Sequence, residues 1–284
     1  MKSTRRQTVV VYSPASALRS PAGFLCEAFA DLRRSWEPAK HLFLKNLRGR
    51  HRQSFLGYAW LLLPPLATAL VWTGLNYSGI ISVGETRVPY PLFVLIGTMF
   101  WSAFVEALKC PIMDLRNARD ILLKVRMPHE AVVLAGLGAV FFNFAIRASL
   151  VAVAFIFYGY IPGWTVFLTP FVLLSIVCLG LAIGLWLAPV GLLYDDVNRT
   201  LDVLLGFGFL ITPIVYPAPK AWPLSLIADL NPLVPLLGTG RRWLQGFEVP
   251  AAPGFLAVSM VSLVALLGGW LFYRVAKPHV VSRM

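Results

Sequence analysis

Charge is what this sequence has least of. Of its 284 residues, 13% are charged, about half the share carried by an ordinary soluble globular chain. Water cannot solvate most of such a surface, which excludes a soluble enzyme or binding module. Cysteine is equally scarce. Cys26, Cys110 and Cys178 show no CxxC spacing, and they read as small buried hydrophobes rather than metal or disulfide sites. The four histidines, His41, His51, His129 and His279, form no HxxxH or HExxH pair, so no metal site is expected. No GxxxxGK[ST] loop occurs, and the chain cannot cradle ATP by that route. The apolar stretch Thr8 to Tyr12, behind Lys2, Arg5 and Arg6, is too short for a signal-peptide core. No cleavable signal is expected, and the chain is expected to start inside the cell.

Hydrophobic residues, at 58%, are abundant instead. A hydrocarbon core of ~30 Å needs roughly 20 apolar residues per helix, and the sequence predicts an all-α membrane protein with six transmembrane helices. The expected spans are Leu56 to Tyr77 (with Pro64-Pro65 kinking it), Tyr90 to Ile112, Ala131 to Tyr158, Trp164 to Leu193, Leu201 to Tyr216, and Phe255 to Tyr273. This gives a cytoplasmic N-terminal segment over 1–53, a six-helix domain over 54–275 and a cytoplasmic tail over 276–284. The apolar but Pro- and Gly-broken region 220–250 fits short re-entrant helices on the periplasmic side, tolerated at membrane depth where protein or a water-filled cavity covers the backbone.

The net charge of +12 suggests nucleic acid until its placement is considered. Twenty of the 25 Lys and Arg flank the spans on one side and four on the other, while Arg147 falls within a span. Such asymmetry orients a membrane protein with both termini in the cytoplasm, and no nucleic-acid partner is expected. Phe24, Leu25, Ala28, Phe29, Leu32 and Trp36, with Arg33 and Arg34 beside them, predict an amphipathic helix lying at the membrane interface among its lipids. A helix packed on a protein partner would show the same pattern.

Several segments, read in order, resemble the membrane subunit of ABC-type polysaccharide exporters, the ABC-2 type permeases that move lipid-linked O-antigen, capsule or teichoic acid chains across the bacterial inner membrane. The resemblance rests on the run from Arg50 to Pro65, on Tyr90 to Trp101, on Ile121-Leu-Leu-Lys124-Val-Arg-Met-Pro128, on Tyr194-Asp195-Asp196-Val-Asn-Arg199, and on Thr212 to Pro217 with Asn231-Pro232. It covers the chain from about residue 37 onward. Two departures are Tyr194, where the family more often has Arg, and the longer N-terminal extension. The resemblance implies a transport subunit rather than an enzyme. It implies a homodimer with two separate ATP-binding ABC subunits, which hold the ATP and Mg, and a lipid-linked polysaccharide as substrate.

The same resemblance makes 114–126 a coupling helix docked on the ATPase. Leu115, Ala118, Leu122 and Val125 form an apolar stripe, with Arg116, Arg119 and Lys124 around it, as a helix docked in a protein groove requires. A solvated loop that only sets topology is the plainer alternative. For Asp195, Asp196 and Arg199 the resemblance implies a second ATPase contact or gating of substrate entry; the plainer alternative is Asp residues favoured at a helix N-terminus. Within the spans, Glu106 lies about 24 Å below the outer surface at 1.5 Å per residue. Arg147 lies in the middle to outer half, and these depths argue against an ion pair between them. Arg147 is a candidate pathway residue, or an arginine satisfied by carbonyls. Trp72, Phe207 and Phe209 are deep aromatics that could line a sugar pathway. At the periplasmic mouth, Trp222, Asn231, Pro232, Arg241 and Arg242 are candidate gate residues, with both arginines placed to meet anionic groups or merely to fix topology.

The competing classes are an ABC exporter of a drug, haem or another lipid, a membrane-embedded glycosyl- or acyltransferase, and a secondary transporter. The last two lack, respectively, a second acidic cluster near Asp195-Asp196 and a visible internal repeat.

Overall fold

The computed structural model describes residues 21–50, 56–81, 83–84, 86–124, 127–219, 221–246 and 254–281. Eleven α-helices are described: α1 (Pro21–Arg34), α2 (Trp36–Arg50), α3 (Leu63–Tyr77), α4 (Tyr90–Asn117), α5 (Arg119–Lys124), α6 (His129–Phe157), α7 (Thr169–Gly191), α8 (Asp195–Ile211), α9 (Leu224–Leu230), α10 (Leu233–Leu244) and α11 (Phe255–Val281). Short 3-10 turns precede α3 (Gly57–Leu61) and α7 (Trp164–Leu168). No strand occurs among the described residues.

Four helical segments are long and apolar enough to cross a membrane: Tyr90–Asn117, His129–Phe157, Trp164–Gly191 and Phe255–His279. The other two expected spans take a different form. Pro64 and Pro65 do not kink a long helix but occupy the opening positions of the 15-residue α3, where the missing N–H groups would lack partners anyway. The fifth expected span begins earlier, at Asp195, because two aspartates in the first turn suit the positive end of the helix. It ends earlier too. Pro213 biases the residue before it away from helical geometry, and Thr212 is extended at φ −78°, ψ 134°.

Helix α4 is the centre of the bundle. Apolar residues surround it on all sides, as befits a helix buried on all sides, and it packs against α3, α6, α7 and α10. Its contact with α7 depends on Gly180 and Gly184. A Cβ at Gly180 would lie 2.7 Å from the Phe104 carbonyl oxygen, and one at Gly184 would run into the Leu108 carbonyl. The four-residue spacing puts both glycines on one helix face, and small residues so spaced let membrane helices approach backbone to backbone. Helix α11 closes the far side of α7, where Trp186 stacks on Phe272 with centroids 4.8 Å apart.

The N-terminal pair flanks α6. The expected amphipathic helix divides at Ser35, which is fully buried. Ala28 is buried, whereas Leu25, Phe29 and Trp36 remain exposed, so the apolar face is uncovered within the single chain, as either a lipid-facing or a partner-facing helix requires. Phe43 of α2 and Tyr58 both pack against Phe142 of α6, at 6.4 and 5.4 Å. We call the end of the bundle that carries α1, α2 and α5 the basic end, and the opposite one the far end.

Candidate coupling elbow and membrane pathway

At the basic end, α4 passes through Ala118 into the six-residue α5, so the expected coupling helix over 114–126 is in fact the last turn of α4 plus a short separate helix. The Ala118 N–H donates to the Asp114 carbonyl at 2.9 Å, and the Ile121 and Leu122 N–H groups donate back to Ala118. The apolar stripe does not face outward, which corrects the docking assignment. Leu115 is 1% exposed and Ala118 9% exposed in the chain's own core, and Leu122 packs against that core. An apolar stripe follows whichever apolar surface is nearest, and here that surface belongs to α4, α6 and their neighbours. Val125 lies outside the described residues. What the elbow presents outward is its charge: Arg116, Arg119 and Lys124 are exposed.

Two ion pairs connect the elbow and the α4 turns before it to α8. Arg116 pairs with Asp195, and Lys109 pairs with Asp202. Asp195 opens α8, where its charge suits the helix N-terminus, and it also reaches the elbow through Arg116. Asp196 and Arg199 remain exposed on the first turns of α8. Asn198 ties the helix back by donating to the Gly191 carbonyl at 3.3 Å.

In the interior, Arg147 pairs with one carboxylate oxygen of Glu106 while Asn143 donates to the other at 2.9 Å. The depth estimate that separated these residues is thereby overturned. Helices α4 and α6 are 28 and 29 residues long, roughly 42 Å each, so both extend beyond the hydrocarbon. Glu106 faces Asn143, and Arg147 sits one turn farther, about 6 Å along the axis. Two long side chains close that gap. Arg147 is 7% exposed, and it serves α4–α6 packing rather than an open pathway surface.

The aromatic candidates separate likewise. Phe207 is exposed on α8. Phe209 packs edge-on against Trp101 at 6.0 Å, and Trp72 is half-buried against the main core. Among the described residues, no ring contact joins these three to one another.

At the far end, α10 is locked to the connection after α8. Arg241 donates to the carbonyls of Pro213, at 2.7 Å, and Ile214. Its guanidinium lies 3.8 Å from the Phe93 ring centroid. Tyr90 donates to the Val215 carbonyl at 2.7 Å. Arg241 is 7% exposed, so its assignment to anionic ligands is corrected: backbone carbonyls after an interrupted helix need donors, and this side chain supplies them. Arg242 is exposed beside it. Asn231 donates to the Thr212 hydroxyl and accepts from the Leu233 N–H, both at 2.9 Å. Pro232 follows at the start of α10 and is exposed, as is Trp222. Lys220 lies outside the described residues.

The sequence profile of the ABC-2 type transporter family matches residues 39–241, which takes in the elbow, the buried ion pair and the far-end lock. The chain belongs to the ABC-2 type transporter family. Among similar ABC-2 proteins, the O-antigen export system permease protein RfbA of Myxococcus xanthus is 29% identical over 229 residues, covering 79% of this chain and 86% of the relative. A Klebsiella pneumoniae protein of the same name is 23% identical over 202 residues, covering 69% and 76%. The polysialic acid transport protein KpsM of Escherichia coli is 25% identical over 249 residues, covering 85% and 94%.

One cluster in this ABC-2 chain escaped sequence reasoning. Arg274 of α11 bridges Asp31 of α1, at 2.5 Å, and Glu130 of α6, at 3.1 Å, while His129 meets the Tyr273 hydroxyl at 3.0 Å. It pins the N-terminal helix to two long helices. Acidic residues at span boundaries could have prompted a search for partners, but pairing residues 243 positions apart leaves no mark in one sequence.

Proposed function

We propose that this chain is the membrane-spanning permease subunit of an ATP-driven exporter that moves a lipid-linked polysaccharide of O-antigen or capsule type across the bacterial inner membrane. The observation that carries the reading is the similarity, over 79% and 85% of the chain, to permeases named for O-antigen export and polysialic acid transport. In this reading both termini are cytoplasmic, so the basic end faces the cytoplasm. The chain crosses six times. The 3-10 turn plus α3, Gly57–Tyr77, reaches roughly 32 Å, and α8 with the residues up to Tyr216 makes the other short crossing. Helices α9 and α10 are re-entrant from the periplasm, and Arg241 of α10 satisfies the carbonyls of Pro213 and Ile214 in the connection after α8.

Six crossings enclose little space, and two copies around a two-fold axis double it in the simplest closed assembly. Two ATPase subunits, holding ATP and Mg, dock beneath. Their contact is the charged outer face of the elbow, Arg119 and Lys124, and the exposed Asp196 and Arg199 beside it. Movement of the elbow then reaches α8 through Arg116 and Asp195. The test is co-purification of the chain with the ATPase encoded beside it, followed by ATP hydrolysis in lipid with and without Arg119→Glu/Lys124→Glu. A stable complex uncoupled by these surface changes supports the reading. Failure of any ATPase to bind would remove the energy source and sink it.

A further inference from the structure

A cleft of about 570 Å³ opens between α1, α2 and α6, lined by Phe29, Leu32, Arg33, Trp36, Glu37 and Leu134. Four of the six are apolar and form its walls. Among the described residues that line it, the charged ones are Arg33 and Glu37, and both are exposed. The helical path runs almost unbroken through the α1–α2 junction, because the Ser35 N–H donates to Asp31 and Leu32 and the Ala39 N–H donates to Ser35. Arg33 and Glu37 are therefore four residues apart on one face, about 6 Å along the axis. Such a spacing allows them to pair with each other, yet no ion pair joins them.

The height of the cleft matters as much as its chemistry. Leu134 lies five residues into α6, within about 8 Å of that helix's start, the depth to which an interfacial helix sinks its apolar face. The walls are also held. Phe29 packs edge-on against Trp270 at 5.6 Å, and Asp31, one turn before Ser35, is tied to Arg274. In the membrane placement proposed above, on which this inference rests, the open apolar slot lies at the headgroup boundary, and a guanidinium and a carboxylate at its edge match one kind of lipid.

We propose that this cleft binds a single aminophospholipid, a zwitterionic lipid whose headgroup carries a phosphate and a primary ammonium. The acyl chain lies along Phe29, Leu32, Trp36 and Leu134. The phosphate meets the Arg33 guanidinium, whose planar fork suits it, and the ammonium donates to the Glu37 carboxylate. A choline headgroup has no N–H to donate, and a glycerol headgroup offers Glu37 only neutral hydroxyls, without the cation that would pair with the carboxylate. The site therefore discriminates by Glu37 and anchors by Arg33.

Trp36, within the cleft, is the reporter. The full-length chain is reconstituted in phosphatidylcholine bilayers containing rising fractions of brominated-acyl phosphatidylethanolamine, phosphatidylcholine or phosphatidylglycerol, and the quenching lost in Trp36→Phe is taken as the cleft signal. This signal should half-saturate at a roughly tenfold lower mole fraction of phosphatidylethanolamine than of the others, the scale of one hydrogen bond to a charged group. Glu37→Gln should bring phosphatidylethanolamine to the level of phosphatidylcholine, and Arg33→Gln should weaken both. Equal titration by all three lipids would mean ordinary annular contact and overturn the proposal. So would a preference for phosphatidylglycerol, a preference that survives Glu37→Gln, or no Trp36-dependent quenching, the result if a second copy covers the cleft. Both substitutions are at exposed positions, and unchanged helical circular dichroism and gel-filtration volume confirm that the fold is intact.

Discussion

Arg147 of α6 and Glu106 of α4 form an ion pair inside the apolar bundle, with Asn143 donating to the second oxygen of the same carboxylate at 2.9 Å. Removing one member strands the other, and a charge left unpaired away from water costs far more than the pair contributes. Arg147→Ala should therefore lower stability by about 3 kcal/mol, whereas Glu106→Gln with Arg147→Met should recover most of it. Thermal unfolding in detergent, followed by gel filtration, measures both. A double variant as unstable as Arg147→Ala would mean that the two residues do not act as a unit.

The two neighbouring arginines of α10 should behave differently. Arg241 satisfies the carbonyls of Pro213 and Ile214, and Arg241→Ala leaves buried acceptors without donors at about 1–3 kcal/mol each. Arg241→Lys should rescue little, because an ammonium cannot reproduce the forked geometry or the stacking on Phe93. Arg242→Ala should change the unfolding midpoint hardly at all, since surface substitutions usually stay within about 0.5 kcal/mol. Equal losses at 241 and 242 would contradict the lock.

The buried ion triad makes a separate claim about the N-terminus. Arg274 links Asp31 to Glu130 across three helices, so Arg274→Ala should loosen α1 while the long helices stay packed. Limited proteolysis should then cut after Arg33 or Arg34 sooner than in the parent chain, and the global midpoint should fall too, because Glu130 is left buried without its cation. No change in cleavage rate would show that Ala28 and Phe29 hold α1 by packing alone.

The long helices were legible in the sequence because each needs only a sustained apolar run: α4, α6 and α11 begin within two residues of the expected positions, and the described helix of the fourth span begins after a 3-10 turn that opens where expected. Helices α3 and α8 were less so. Their ends depend on whether Pro64-Pro65 opens or bends a helix, and on how far two aspartates extend one, and those are questions of local geometry rather than hydropathy. At the site, residue types were legible but their facing was not. Leu115 and Leu122 form a stripe on any helical wheel, and only the position of the neighbouring helices decides that the stripe turns inward. Arg241 was singled out for its charge, yet its partners are carbonyls, which every residue possesses and no sequence distinguishes.

One packing signal was present in the sequence and went unread. Gly180 and Gly184, four residues apart, admit the backbone of α4, and a Cβ at Gly184 meets the Leu108 carbonyl, which has no flexible end to move aside. Gly184→Ala should destabilise the chain by about 1–3 kcal/mol, the usual cost of overpacking. Gly206→Ala, with nothing within 4 Å of the new methyl, should be neutral or slightly stabilising because alanine favours helix. Unfolding midpoints of the two variants provide the comparison, and a neutral Gly184→Ala would refute the close α4–α7 approach.

The elbow offers the most direct link between structure and transport. Arg116 and Asp195 pair with side chains 40% and 62% exposed, and such a pair is worth within about 1 kcal/mol of stability. Its value to the protein is then the connection rather than the energy. Asp195→Arg sets two cations against each other and should leave the unfolding midpoint nearly unchanged, yet reduce substrate-stimulated ATP hydrolysis by the assembled exporter. Arg116→Asp with Asp195→Arg restores the attraction and should restore stimulation. If the double variant remains as poor as either single one, each residue makes its own contact with the ATPase, and the passage of movement from elbow to α8 must run through Lys109 and Asp202 or through packing instead.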